Sequence, residues 1–443
     1  MGNLSSIFSR LSTNALEQEG LDDYYVDVSR GRGERGYNPI DVLKLRLDNN
    51  PGGKLQILFS GYRGCGKSTE LNKLQQKISA DFFVLNFSVL EDLDLVNINY
   101  VELFVIIMEK LFNLVAEHHI RVKPSLFASI REWSRTAEIQ KITELTGGSL
   151  LEAGMEAKVS ALGFAGLFGK IRASANASNT TKKTIIENIE PRLSDLVNHC
   201  NALIREVKIN LPDIGKKGLL IIVEDLDKLS MDKAEELFFN HSHILRSLHT
   251  HVLFTFPISL CYHPKATVIT RNFDKSFELP MVKVHDKQGR PYAAGREALR
   301  QIIARRIGRE CFEPPELVDK FIDASGGCLR DLFSMIIDAA ETALSDEREL
   351  MLEDDFARSF TIIRRDYENT IAEKRIDNVV VTPVAEYYNA LKEVALSETK
   401  KVDNTGVILD LRHNLCILGY NDEGWCDLHP AVKSILLERK LLS

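Results

Sequence analysis

The stretch GYRGCGKSTEL, Gly61 to Leu71, decides how this chain is read. Its spacing, G-x-x-x-x-G-K-S, is that of a loop that wraps phosphates. The preceding LQILFS (55–60) is apolar enough for a short buried strand, and Leu71, Leu74 and Ile78 then recur at helical spacing. Strand, loop and helix in that order are what the motif requires, because its chemistry rests on the backbone. Glycines let the chain curl until its N–H groups point at the β- and γ-phosphates, and the helix that follows presents its positive end. Gly61, Gly64, Cys65 and Gly66 would form the cradle, Lys67 would add a mobile positive charge and Ser68 a hydroxyl for Mg²⁺. Thr69 offers a further hydroxyl for the α-phosphate.

A phosphate loop works with an acidic group at the tip of a neighbouring strand. GLLIIVEDLDKL (218–229) supplies one: five consecutive apolar residues, Leu219 to Val223, predict a strand buried on both faces. Glu224, Asp225 and Asp227 follow at its carboxyl end, where open α/β sheets bind ligands. One carboxylate would hold Mg²⁺ and its neighbour would orient or deprotonate the attacking water. The usual order is aspartate then glutamate; here it is reversed, so the metal role stays open between Glu224 and Asp225.

Composition narrows the remainder. A chain of 443 residues with a formal net charge of −7 can bury a large core in two or three domains, and its charge argues against a chain-wide nucleic-acid footprint. Seven cysteines, odd in number and never spaced C-x-x-C, argue against zinc and disulfide frameworks and lead us to expect a reducing, cytoplasmic setting. No apolar run reaches the ~18 residues of a membrane span, so no membrane role is expected. His241, His243, His249 and His251 lack metal-ligand spacing. The opening MGNLSS, with Gly2 and Ser6, matches the loose myristoylation pattern.

Further segments extend the pattern. THVLFTFPISL (250–260) reads as the next core strand, NFDKSFELPMVKV (272–284) as the last, and GREALRQIIARRIG (295–308) as the first helix of a lid. FIDASGGCLRDLFSMIIDAAETAL (321–344) places G-G-x-x-R-x-L at the head of a helix. In the tail, PVAEYYNALKEVAL and NTGVILDLRHN read as helices, LCILGYNDEGWCDLH as a hairpin and PAVKSILLERKLL as a closing helix.

With GYRGCGKSTEL, IIVEDLDKL and SGGCLRDL in one chain, the sequence resembles P-loop ATPases of the AAA+/STAND group, in particular KAP-like or initiator-like proteins of prokaryotic defence and signalling operons. The resemblance implies ATP and Mg²⁺ as cofactors and an α/β fold: a parallel-sheet core, a helical lid and a C-terminal winged-helix-like domain. It places a lead-in at 1–50, the core at 51–290, the lid at 291–375 and the winged-helix-like domain at 376–443. Thr255 would then stand at the sensor-1 position, Arg330 would be the lid's sensor-2 arginine, and Arg271 would be the candidate finger reaching a neighbouring copy in a homo-oligomer. Tyr25, Val26 and Tyr37 of the lead-in are candidates to pack against adenine; Arg30, Arg32 and Arg35 read as a solvated cluster.

Residues 128–190 form an insertion whose middle, SALGFAGLFGKIRASANASNTT, is rich in Gly, Ala and Ser; it is expected to be a packed or disordered insert, with a partner-binding hairpin as the alternative. The leading functional expectation is an ATP-hydrolysing switch acting on a protein partner; the alternative is a DNA-binding initiator or loader. Acidic residues at least match basic ones over 382–443, and the second tail helix offers Arg412 as its only cation apart from histidine, which favours protein over duplex.

Overall fold

The computed structural model describes residues 4–33, 38–137, 160–376, 378–420 and 424–442. Gly2, Arg35, Tyr37, the 421–423 turn and the 138–159 part of the insertion lie outside the described residues.

Five parallel strands form the central sheet: β1 (Gln56–Gly61), β2 (Phe82–Ser88), β3 (Gly218–Glu224), β4 (His251–Phe256) and β5 (Lys275–Leu279), in the spatial order β2-β3-β4-β1-β5. Every residue of β1, β3 and β4 is buried, as continuous apolar runs covered by helices on both faces require. Because all five strands run the same way, their carboxyl ends share one edge. The phosphate loop after β1 and the acidic turn after β3 therefore lie on the same rim, with β4 between them.

On one face, α1 (Pro39–Asp48) and α2 (Lys67–Ile78) cover Ile57, Phe59, Leu220 and Leu253. On the other lie α3 (Tyr100–Glu117), α4 (Pro124–Thr136), α5 (Ala161–Ala177) and α6 (Leu193–Asn210). The described part of the insertion is a packed element. Phe164 and Phe168 of α5 stack on Phe112 at 5.4 and 6.0 Å, and Arg172 grips Glu109 through two hydrogen bonds of 2.8 and 3.1 Å and Asp92 at 3.0 Å. That buried ion network excludes a loose hairpin at 161–177.

The lid contains α7 (Ala293–Arg306), α8 (Leu317–Ser325), α9 (Leu329–Ser345) and α10 (Glu353–Thr370). The sequence GGC separates α8 from α9. Gly327 has φ +86°, and a Cβ on it would lie 1.8 Å from the Val282 carbonyl oxygen, so only glycine lets the lid approach the end of the core this closely. A two-stranded ribbon, β6 (Lys374–Ile376) and β7 (Val379–Thr382), leads into the tail of α11 (Val384–Leu396), α12 (Gly406–His413), the hairpin β8 (Ile417–Tyr420)–β9 (Trp425–Leu428) and α13 (Pro430–Glu438). Helix, helix, hairpin and helix make this a winged-helix-like unit. It shares one apolar core with the lid, through Phe321, Leu332, Leu391 and Val432, and the hairpin's Leu418, Tyr420 and Trp425 pack against the sheet's α1–α2 face.

Among the described residues no helix is long and apolar enough to cross a membrane. All seven cysteines are unpaired.

Candidate nucleotide site

The loop between β1 and α2 is shaped by backbone that only glycine accommodates easily. Gly64 has φ +75°, and a Cβ there would sit 2.7 Å from Cys328 Sγ and 2.8 Å from Arg330 Cβ. The lid thus rests directly on the phosphate loop. The N–H groups of Leu329 and Arg330, at the start of α9, donate to the Gly64 carbonyl at 3.0 and 3.4 Å. Gly66 and Lys67 open α2, whose first-turn N–H groups face the cleft.

Lys67 is buried and fully engaged. Its Nζ donates to the carbonyls of Gly61 (2.8 Å) and Tyr62 (3.0 Å) and pairs with Asp227 at 3.0 Å. Burial works against the Lys67 ammonium, but the Asp227 charge and hydrogen bond outweigh it and hold its pKa above the usual value. The reciprocal effect holds for Asp227: burial would raise its carboxyl, and Lys67, then the Thr255 hydroxyl, bring it below the ordinary carboxylate range.

Glu224 and Asp225 take different places. Glu224 ends β3 and hydrogen-bonds the Ser68 hydroxyl, while Asn86 Nδ2 donates to its Oε1 at 2.9 Å. Burial pushes this carboxyl up, more than Ser68 and Asn86 pull it down. A buried carboxylate beside the loop serine is the donor set a hard divalent cation takes, with phosphate oxygens and water completing the shell. Ser68 and Glu224 would hold Mg²⁺, which would supply charge neutralisation at the phosphates. No group of three or more His, Cys, Asp or Glu side chains that could hold a metal ion occurs among the described residues. Asp225 is left-handed (φ +70°), an unfavourable conformation for aspartate. It lines the pocket, ion-pairs with Lys228 at 2.7 Å and accepts from Ser88 Oγ.

Of the other predicted residues, Thr255 stands behind the acidic turn rather than on the pocket wall. Its Oγ1 accepts from Leu226 N–H at 3.0 Å, so it positions the turn that carries Asp227. Thr69 lines the pocket, with its Oγ1 accepting from Leu16 N–H at 3.1 Å. Arg330 lines the pocket as an exposed side chain. Arg271 is exposed on the short helix Ala266–Asn272, outside its own chain's pocket.

Arg32 is a correction: it is 3% exposed, not solvated. It donates to the carbonyls of Cys65 (2.8 Å) and Pro280 (2.6 Å) and approaches Glu70 at 3.7 Å, bracing the loop while lining the cleft. Its partners lie 33 and 248 residues away, which no local pattern reveals.

The cleft is lined also by Tyr24, Tyr25, Val26, Val28, Ile302 and Phe333, with Tyr25 Oη donating to Glu70 of α2 at 3.1 Å. Arg306, the last residue of α7, completes the lining. Its guanidinium lies 4.6 Å from the Phe333 ring centroid and it is 6% exposed. Its buried Nε has no hydrogen-bond partner, and burial pushes its pKa down to about 10. Burying an ion costs several kcal/mol, and a cation–π contact returns only about 2 kcal/mol.

Loop, acidic turn and lid therefore enclose one cleft. The fold is a five-stranded parallel α/β core with a glycine-rich loop after β1 and a helical lid resting on that loop. No family model matches the sequence, and no curated protein matches it. Among solved structures the chain is similar to the ORC2 protein of Aeropyrum pernix in ADPNP–ADP complexes, at 11% identity and TM-score 0.40, covering 96% of this chain and 99% of that one. It is similar also to Cdc6p of Pyrobaculum aerophilum (12%, TM-score 0.36, covering 91% and 94%) and to a Walker-type ATPase of Pyrococcus abyssi (13%, TM-score 0.40, covering 90% and 95%). Likenesses this distant say nothing of what the chain does.

The sequence reading missed a contact between the tail and the loop. Arg412 of α12 is 3% exposed; it donates to Tyr62 Oη at 2.7 Å and stacks 4.1 Å over the Tyr262 ring. Beside it, Arg63 and His413 meet at 3.3 Å. The winged-helix-like domain is thus docked on the phosphate loop through Tyr62 and Arg63, two residues that the G-x-x-x-x-G-K-S pattern leaves unspecified.

Proposed function

We propose that the protein is an ATP-binding, Mg²⁺-dependent ATPase that works as a molecular switch on a protein partner. The observation that carries this reading is the convergence on one cleft of Lys67, the Ser68–Glu224 pair and the lid helix that holds Arg330. Lys67 would exchange Asp227 for phosphate oxygens, Glu224 would hold Mg²⁺ with Ser68, and Asp225 would act on the attacking water. The lid rests on Gly64 through the Leu329 and Arg330 N–H groups, so a γ-phosphate held by the loop would favour a different lid position from its absence, as a nucleotide switch requires. Arg271 is proposed as the residue offered to a neighbouring copy, and a prokaryotic defence or signalling role remains part of the proposal.

Lys67→Ala is the test: calorimetry should show ATP binding lost, and undiminished binding would sink the nucleotide reading.

The second reading is an initiator-type ATPase that binds DNA, favoured by the helix–helix–hairpin–helix order of the tail. Against it stands Arg412, which is buried on Tyr62 rather than presented to a phosphate backbone. Duplex titration at two salt concentrations separates the two: a steep salt dependence supports the DNA reading, and no binding supports the protein partner.

A further inference from the structure

The phosphate end of the cleft is rich in charge that is already balanced: Lys67 has Asp227, Lys228 has Asp225, and Arg32 has two carbonyls and Glu70 nearby. Arg306 differs. Among the described residues it has no ion pair and no hydrogen bond, although it is more than nine-tenths buried and lines the same cleft. The stack on Phe333 fixes the plane of its guanidinium without using an N–H. Neighbouring Arg305 donates to the Tyr25 carbonyl at 2.7 Å, which ties the end of α7 to the lead-in. Its buried Nε is a donor with no acceptor and its Nη groups open onto the cleft, so the guanidinium is a site that a ligand completes.

Its place selects the part of the ligand. The phosphate loop and Arg330 take the polyphosphate, and Phe333 lies three residues beyond Arg330 on the same helix face. Arg306 stacks on Phe333, lies near Tyr24 and lines the cleft with Tyr25, Val26 and Ile302, side chains that suit a flat base. We infer that Arg306 is the residue by which the lid reads the nucleoside, donating to acceptors of the purine base or its ribose, so that base, sugar and phosphates each hold the lid by a separate cation or loop. This rests on reading the cleft as a nucleotide site. It makes Arg306 a specificity-determining residue: an occupant with phosphates alone leaves it unsatisfied.

Arg306→Met keeps the stack on Phe333 and removes the charge. In the full-length chain, calorimetry should show ATP affinity reduced roughly ten- to a hundredfold, the span of one charge-assisted hydrogen bond. Affinity for inorganic tripolyphosphate should not change. Without ligand the variant should melt no lower than the wild type, because an uncompensated buried ion has been removed. Arg306→Lys, which keeps charge but loses the fork, should fall between the two. Ribose 5′-triphosphate separates the sources: a loss shared with it places the acceptor on the sugar, and a loss confined to ATP places it on the base. Equal losses for ATP and tripolyphosphate would overturn the inference, as would an unchanged ATP affinity or a collapsed ligand-free fold in both variants. A wild type that binds no nucleotide would refute the proposed function as well, whereas a wild type that binds and an Arg306→Met variant that matches it refutes this inference alone.

Discussion

Asp227→Asn isolates the group that holds Lys67 when no phosphate does. The substitution is isosteric and can still accept from Thr255, so it removes charge without opening a cavity. Lys67 and Asp227 are 3.0 Å apart with side-chain exposures of 8% and 5%. Breaking a buried pair from one side costs about 3–5 kcal/mol, because the remaining ion is stranded. Unfolding a 443-residue chain as one unit carries an entropy of about 0.9 kcal/mol per kelvin, so the ligand-free protein should melt roughly 3–5 °C lower. With saturating Mg-ATP the deficit should vanish, since phosphate then neutralises Lys67 and Asp227 no longer competes for it. The nucleotide-induced rise in melting temperature should therefore be larger in the variant, and ATP affinity at least about a hundredfold tighter.

The pH dependence follows from the same pair. Asp227 has a lowered folded pKa, so its contribution is complete above about pH 4 to 5 and is lost as pH falls through the folded value. Lys67 has a raised folded pKa, so its contribution is complete below about pH 10 and is lost as pH rises through that value. The gap between wild type and variant should be flat in between and close in strong acid. Differential scanning fluorimetry across pH, with and without Mg-ATP, measures both effects. Weaker ATP binding by Asp227→Asn would refute the reasoning, and so would a ligand-free melting temperature within 1 °C of wild type by direct comparison (about 1 kcal/mol).

Two further outcomes follow. Glu224→Gln should retain ATP binding within a fewfold but lose Mg²⁺-dependent phosphate release by at least about a hundredfold, whereas Asp225→Asn should slow release without altering the Mg²⁺ concentration needed; a steady-state phosphate assay with Mg²⁺ titration separates them. His413, pushed down to about 4 by burial first and Arg63 second, stays neutral in the fold while the unfolded chain protonates near pH 6.5. Stability should thus fall by up to about 3 kcal/mol as pH drops from about 6.5 to 4, and His413→Gln should flatten that limb of a denaturation profile.

Elements with strong one-dimensional patterns were legible in the chain. The loop at 61–68, the apolar runs of β1, β3 and β4, the lid helices α7 and α9 and the helix–helix–hairpin–helix tail all carry periodicity or spacing that few alternatives share. β2 went unassigned: FFVLNFS is only half buried at the sheet edge, and its polar residues Asn86 and Ser88 dilute the apolar signal although they support Glu224 and Asp225. The ribbon β6–β7, short and exposed, carries as little signal.

The sequence by itself determined that this chain holds a phosphate loop on a parallel sheet, because glycine, lysine and hydroxyl at fixed spacing have one common physical use. Tertiary structure alone decided which carboxylate meets which partner. VEDLD places three acids within four residues, and their contacts separate only when the left-handed turn at Asp225 sends Glu224 to Ser68 and Asp227 to Lys67. It also decided that Arg32 and Arg412 are buried braces and that Arg306 is an unpartnered donor in the cleft. A charged residue's meaning depends on whether an opposite charge or acceptor meets it inside the protein, and those partners come from strands, lid and tail that are hundreds of residues apart in the chain.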